Sequence, residues 1–179
     1  DFIEVLKANA ENEGLSKKID PLVCSMDSLP FDEEIYDVIW SEGAVYNMGF
    51  ENGINNWKRF LKPGGLLVVS EITWTTNDRP LEIEEYWAGE YPEINTASAK
   101  INTLENNGYS PLGYFVLPEH CWLDNYYRPM QSSFSEFLAR NINNEKSQTI
   151  VDAEKTEIAL YEKFKKYYSY GVYIARKID

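Results

Sequence analysis

Residues 35–73, IYDVIWSEGAVYNMGFENGINNWKRFLKPGGLLVVSEIT, decide the fold of this chain. The stretch contains a run of β-branched and aromatic residues at 36–40, an amphipathic segment at 50–61 and a continuous aliphatic run at 66–71. The first and last runs have the length and composition of strands, and the middle segment repeats apolar residues at the spacing of one helix face. The Pro-Gly-Gly turn at 63–65 is expected to end this helix. The stretch therefore predicts a right-handed strand–helix–strand unit within a parallel sheet.

The rest of the chain adds helices and strands on both sides of this unit. Apolar spacing, turn residues and Gly or Pro boundaries predict helices over residues 2–14, 80–88, 96–107, 132–141 and 146–168, and strands over residues 19–26, 112–117 and 171–177. Alternating strands and helices of these lengths are typical of an α/β domain.

The composition indicates a well-packed core beneath an acidic surface. Of the 179 residues, 44% are hydrophobic, and the formal net charge is −12. Because an acidic surface repels phosphate backbones, we predict no nucleic-acid partner. No run of residues is long and apolar enough to predict a membrane span, and the two cysteines do not suggest a disulfide framework. We therefore predict no membrane association and a cytoplasmic location.

Three short motifs occur in order along the chain: Leu-Pro-Phe at 29–31, Tyr-Asp-Val-Ile at 36–39 and Leu-Lys-Pro-Gly-Gly-Leu-Leu at 61–67. Together they resemble the class I S-adenosylmethionine-dependent methyltransferases, and in particular the type 11, ubiquinone-biosynthesis-like branch that acts on small molecules. The resemblance implies a Rossmann-like sheet of order 3-2-1-4-5-7-6, mostly parallel with one antiparallel strand, and helices on both faces. It also implies methyl transfer from S-adenosylmethionine to a small-molecule acceptor.

Part of the family pattern is absent from this sequence. No Gly-rich turn that would approach the cofactor occurs in residues 1–179. We therefore expect residues 1–179 to form the C-terminal two-thirds to three-quarters of a single methyltransferase domain, truncated at its N-terminus. Residues 118–168 would be a helical insertion that forms a lid over the pocket or simply covers the sheet. The strand at 36–40 would then be an open edge, which upstream residues or a second copy in a homodimer would cover.

The resemblance places the cofactor contacts in two loops that follow predicted strands. Ser25, Met26 and Asp27 would hold the adenine; the family usually has an acid where Ser25 stands, so either Ser25 or Asp27 would bind its exocyclic amine. Ser41 and Glu42 would face the sulfonium side of the cofactor. Asp27 could instead cap its own loop, and Glu42 could be an ordinary solvated carboxylate.

The candidate catalytic residues are Glu42, Tyr46 and His120. Because S-adenosylmethionine is already activated, the protein mainly has to align the acceptor with the methyl group. Glu42 would orient the acceptor or stabilise positive charge, and Tyr46 would reach the same cavity. His120, the only histidine, is either a base or a structural residue. Its neighbours Glu119 and Cys121 are adjacent in sequence and poorly placed to converge on one ion, so no metal site is predicted.

Two other interpretations of the whole chain remain. The absent Gly-rich turn favours a non-catalytic or partner-dependent protein on the same scaffold, whereas a nicotinamide dehydrogenase would need that same turn. Glu71, which ends the aliphatic run, either points toward the substrate or caps the strand. The aromatic residues, 15% of the chain, either fill the core or line a pocket for a flat or apolar substrate. For an enzyme, the loops after residues 24 and 40 should converge on one cleft.

Overall fold

The computed structural model describes residues 2–178, which divide into two compact units, residues 2–32 and residues 33–178. In the first unit, α1 spans Phe2–Asn12, and Gly14 follows it with a φ of 67°, as expected for the predicted helix end. The strand predicted over residues 19–26 is wrong, because residues 19–25 form neither helix nor strand. A strand needs a neighbour for its backbone hydrogen bonds, and the described residues of this unit offer none.

The second unit is built on a five-stranded mixed sheet. Its strands are β1 (Tyr36–Ser41), β2 (Leu61–Trp74), β3 (Asn95–Thr96), β4 (Tyr109–Val116) and β5 (Tyr168–Lys177). β1 and β3 pair with β2 in parallel, whereas β5 pairs with both β2 and β4 in antiparallel. The two antiparallel ladders are the longer ones, so the prediction of a mostly parallel sheet was wrong. The reason is that one strand, β5, runs against both of its neighbours.

The strand order is β1-β2-β5-β4, with β3 beside the end of β2. This order agrees with the last four positions of the predicted family sheet. The predicted role of the Pro-Gly-Gly turn was wrong, however. Tyr36 pairs with Leu61, but Val38 pairs with Leu66, so the residues between Leu61 and Leu66 bulge out of the ladder, with Gly64 at a φ of 72°. The turn therefore shapes the start of β2 rather than the end of the preceding helix.

Six helices accompany the described sheet. They are α2 (Phe50–Lys58), α3 (Leu81–Glu90), α4 (Ala97–Asn106), α5 (Glu119–Trp122), α6 (Arg128–Arg140) and α7 (Lys146–Phe164), with a π-helical turn at Leu123–Tyr127. The sequence patterns predicted α2, α3, α4, α6 and α7. Across residues 2–178, no helix combines the length and the apolar character that crossing a bilayer requires.

Aromatic side chains fill much of the core between the sheet and α3, α5 and α7. Trp122 stacks on Tyr161, with ring centroids 4.6 Å apart, and on Tyr170, with centroids 5.0 Å apart. Its indole N–H donates a hydrogen bond of 2.9 Å to Ser169 Oγ, and Ser169 Oγ donates to the Leu117 carbonyl. Because this polar end is satisfied, Trp122 can be buried and can anchor α5 against β5.

Candidate active site

The second unit contains a cavity of about 820 Å³ at the carboxyl ends of β1 and β2. Side chains alternate between the faces of a strand, so every second residue on one face lines it: Val68, Ser70 and Ile72 from β2, and Tyr170, Val172 and Ile174 from β5. Glu71, near the carboxyl end of β2, lines it as well. The end of β1 with the loop after it, Phe115 of β4, the π-helical turn, and parts of α3, α5 and α7 supply most of the remaining walls. Open α/β sheets bind their ligands at this edge.

The loop after β1 is held against the cavity by one backbone hydrogen bond. The Gly43 N–H donates to Ser70 Oγ over 2.8 Å, and Gly43 has a φ of 53°, which favours glycine. Ser41, at the end of β1, is only 9% exposed, and its hydroxyl makes no hydrogen bond within residues 2–178. A buried hydroxyl without a partner costs stability, so Ser41 Oγ is available to a ligand in the cavity.

A buried ion pair lies at one side of the cavity. The side chains of Glu71 and Lys100 are 1% and 3% exposed, and Lys100 Nζ is 3.7 Å from Glu71 Oε1. Burial raises the pKa of Glu71 and lowers the pKa of Lys100, and the attraction between the two charges opposes both shifts. Neither Glu71 oxygen makes a hydrogen bond within the described part of the chain. Glu71 lines the cavity and can therefore accept a proton or a donor from a ligand.

Lys100 connects this pair to the start of α2. Its ammonium donates to the Glu93 backbone carbonyl over 3.2 Å and lies 4.5 Å from the centroid of the Phe50 ring. The Glu93 carboxylate accepts a 2.8 Å hydrogen bond from the Phe50 N–H at the helix N-terminus, where negative charge is favourable. A Cβ built on Gly49 would lie 2.6 Å from Glu93 Oε1, so this approach requires glycine. The pair thus positions the loop that carries Tyr46.

Carboxylates and aromatic rings form a second wall, on α3, the π-helical turn and α7. Glu90, Glu154 and Glu157 line the cavity together with Tyr86 and Tyr126. Burial, followed by the charges of Glu157, Glu90 and Glu154, raises the pKa of Tyr86 to about 12. Burial, then Glu154 and Glu157, raises the pKa of Tyr126 as well. These shifts indicate that the carboxylates act on the same part of the cavity.

The structure brings some of the predicted site residues together. Ser41, Glu42 and Tyr46 all line the cavity, and Glu42 and Tyr46 are also exposed. His120 is exposed on α5 and is not among the lining residues, although Cys121 and Trp122 beside it are. Its role as a base stays a prediction without support from the cavity.

The predicted adenine-binding residues lie in the first unit. The Ser28 N–H donates to the Ser25 carbonyl over 3.2 Å and so closes a turn that contains Met26 and Asp27. Ser25 and Asp27 are exposed. Their contact with the cofactor stays a prediction.

Sequence reasoning missed the wall formed by α3 and α7. Tyr86 and Glu90 stand four residues apart on α3, and Glu154 and Glu157 stand three apart on α7, so each pair shares one helix face. That spacing was visible in the sequence. The link between these residues and a site could not be predicted, because nothing in the sequence shows that the two helices border one cavity.

Comparison with known proteins agrees with this fold and with the position of the cavity. Residues 1–69 match a family model described as a methyltransferase domain. The strand order and the position of the cavity are those of the class I S-adenosylmethionine-dependent methyltransferase fold, so the chain has a Rossmann-like methyltransferase fold, in agreement with the resemblance that the three motifs carry.

Individual relatives share this fold at low sequence identity. A methyltransferase from Geobacter sulfurreducens, solved with S-adenosylhomocysteine, superposes with a TM-score of 0.81 at 17% identity over 98% of this chain and 71% of its own. The cyclase SpnF superposes with a TM-score of 0.75 at 20% identity over 98% of this chain and 62% of its own. An uncharacterized Haemophilus influenzae protein is 31% identical over 81 residues, 44% of this chain and 32% of its own length. This chain therefore spans about a third of that protein.

Proposed function

We propose that this protein transfers the methyl group of S-adenosylmethionine to a small-molecule acceptor. The observation that carries the proposal is the cavity of about 820 Å³ at the strand ends of a methyltransferase fold, lined by the predicted sulfonium-side residues Ser41 and Glu42. Its volume lies in the range of small-molecule sites, roughly 300–1,000 Å³. The demethylated cofactor bound to the Geobacter relative supports the choice of cofactor.

The residues present fit this cofactor. S-adenosylmethionine would supply an activated methyl group, whose bond to sulfur breaks with its electron pair staying on sulfur as the acceptor's lone pair bonds to carbon. Ser41 Oγ, which has no hydrogen-bond partner within residues 2–178, would bind it, and the Glu42 carboxylate would stabilise its positive charge. Ser25, Met26 and Asp27 would hold the adenine.

The remaining lining residues would orient the acceptor. Tyr46 and Tyr91 present rings 6.3 Å apart at one side of the cavity, where they would restrict water and align an acceptor. Glu71, with its raised pKa, would take a proton from an acceptor that must lose one. Residues 118–168, which contribute Cys121, Tyr126 and other lining side chains, would form the lid.

Calorimetry with S-adenosylhomocysteine tests the proposal. Wild-type protein should bind, and Ser41→Ala should weaken binding by roughly fivefold to tenfold through the loss of one buried hydrogen bond. Ser133→Ala is the matched control, because Ser133 is exposed on α6, does not line the cavity and donates its hydroxyl to the nearby Met130 carbonyl. Absence of binding by the wild type would instead support the non-catalytic, partner-dependent interpretation. SpnF, a cyclase by name on this fold, illustrates that the scaffold alone does not define the reaction.

A further inference from the structure

The side chains that line the cavity include many acidic ones. Among residues 2–178, five glutamates line it, Glu42, Glu71, Glu90, Glu154 and Glu157, and no Lys, Arg or His does. Nine aromatic residues also line the cavity: Trp40, Tyr46, Tyr86, Trp87, Tyr91, Phe115, Trp122, Tyr126 and Tyr170. A ligand that enters this surface meets negative charge and ring faces, both of which favour a cation.

Four of these five carboxylates, Glu42 and the three on α3 and α7, have no compensating cation within residues 2–178. Glu71 is neutralised by Lys100, but no ion pair within residues 2–178 involves Glu90, Glu154 or Glu157. On α3, Glu82 pairs with Lys163 and Glu84 pairs with Arg79, whereas Glu85 is exposed and does not line the cavity. The cavity wall formed by α3 and α7 therefore carries three carboxylates, Glu90, Glu154 and Glu157, without a paired cation.

Burial increases the cost of leaving the Glu157 charge unpaired. Glu157 is partly buried, and burial raises its pKa, while Tyr127 donates a 2.8 Å hydrogen bond to its Oε1. The rings of Tyr86 and Tyr126 border the same carboxylates. A cation placed here would pair with carboxylates and face aromatic rings at once, which is the usual chemistry of ammonium recognition.

A second observation marks the same cavity as a ligand site. Ser41 is about nine-tenths buried, lines the cavity and has a hydroxyl without a hydrogen-bond partner in the described residues. It stands at the end of β1, on a different element from the carboxylates of α3 and α7. The cavity therefore offers one polar position beside the sheet for the cofactor and a separate acidic position beneath the helices.

We propose that the methyl acceptor is a small organic cation, whose ammonium group is held by Glu90, Glu154 and Glu157 against the rings of Tyr86 and Tyr126. The ammonium group anchors the molecule, and a different atom of the molecule, one that has a lone pair, takes the methyl group. The inference rests on the proposed function, since it names the acceptor of that reaction. The net charge of −12 would also draw such a substrate toward the protein.

Three probes of similar size and different charge test the inference by calorimetry without cofactor: phenethylamine, 2-phenylethanol and 3-phenylpropanoate. The amine should bind roughly tenfold more tightly than the alcohol, and the carboxylate most weakly. In the double variant Glu90→Gln, Glu154→Gln this preference for the amine should fall to about that of the alcohol. The control Glu85→Gln, Glu162→Gln changes exposed acids of the same two helices that do not line the cavity, and it should retain the preference.

The results separate this inference from the proposed function. Equal binding of amine and alcohol by the wild type, or an unchanged preference in E90Q/E154Q, overturns the cation site even when S-adenosylhomocysteine binds. Preference for the amine without binding of S-adenosylhomocysteine supports the cation site and contradicts the methyltransferase proposal. Circular dichroism confirms that each variant is folded, and E157Q, whose amide oxygen can still accept from Tyr127, provides an independent third substitution.

Discussion

Replacing Lys100 by methionine tests the physical basis of the site. The substitution keeps an unbranched apolar stem of similar length but leaves the Glu71 carboxylate buried without its cation. At a separation of 3.7 Å and an effective dielectric constant of about 20, the attraction amounts to about 4.5 kcal/mol. Part of this loss is offset, because the variant no longer has to bury an ammonium group, which itself costs free energy. We therefore expect Lys100→Met to lower the free energy of unfolding by about 3 kcal/mol at pH 8.

The size of this loss should depend on pH. The folded-state pKa of Glu71 is already raised by burial above its ordinary value of 4.5, and removing Lys100 raises it further. A carboxyl group with a raised folded pKa contributes stability below its unfolded pKa and loses that contribution as pH rises through the folded pKa. The deficit of Lys100→Met relative to wild type should therefore be smaller at pH 5 than at pH 8, with a slope of at most about 1.4 kcal/mol per pH unit.

Urea unfolding followed by tryptophan fluorescence at pH 5 and pH 8 measures both effects. The double variant Glu71→Gln, Lys100→Met should recover part of the loss at pH 8, because no buried charge remains. Lys163→Met is the control: Lys163 pairs with Glu82 at the exposed surface, so its loss should stay within about 1 kcal/mol at both values of pH. The reasoning is refuted by a loss for Lys100→Met that is equally small, by a deficit independent of pH, or by a double variant as unstable as the single one.

Three further substitutions test the supporting structure. Gly49→Ala should destabilise the protein by about 1–3 kcal/mol, because its Cβ would lie 2.6 Å from Glu93 Oε1 and its φ is 81°; an unchanged melting temperature contradicts this. Ser70→Ala removes the acceptor of the Gly43 N–H, so affinity for S-adenosylhomocysteine should fall severalfold in calorimetry; full affinity would show that this bond does not hold the loop. Trp122→Ala should cost about 3–5 kcal/mol in urea unfolding, and a cost below 1 kcal/mol would disprove its role as an anchor.

Local patterns predicted the elements that depend on local chemistry. The aliphatic run was sufficient to predict β2, and the apolar spacing was sufficient to predict α2 and α7. Burial of apolar side chains determines these structures. The segment at 19–26 carries the same apolar signal as a strand and yet forms none. Strand formation depends on a partner, which a local pattern cannot supply. The Pro-Gly-Gly turn was misplaced for a related reason, since a bulge is defined by the register with β1.

The candidate site was predictable where it follows the ends of strands. Ser41 and Glu42 could be placed because the position after a parallel strand determines their side of the sheet. Lys100 could not, because a lysine at 3% exposure is unusual and its partner Glu71 lies 29 residues away along the chain. The positions of Glu90 and Glu157 in the site could not be predicted either, because only tertiary packing brings α3 and α7 to the same cavity.

The position of β5 has a consequence for the order in which the sheet is assembled. β5 is the last strand described, but it lies between β2 and β4. During synthesis, β4 therefore leaves the ribosome with no strand to join until some fifty residues more have followed it. Closure of the sheet must await pairing between segments that are about a hundred residues apart in sequence, which predicts slow folding and a transient exposed edge on which holdase chaperones could act.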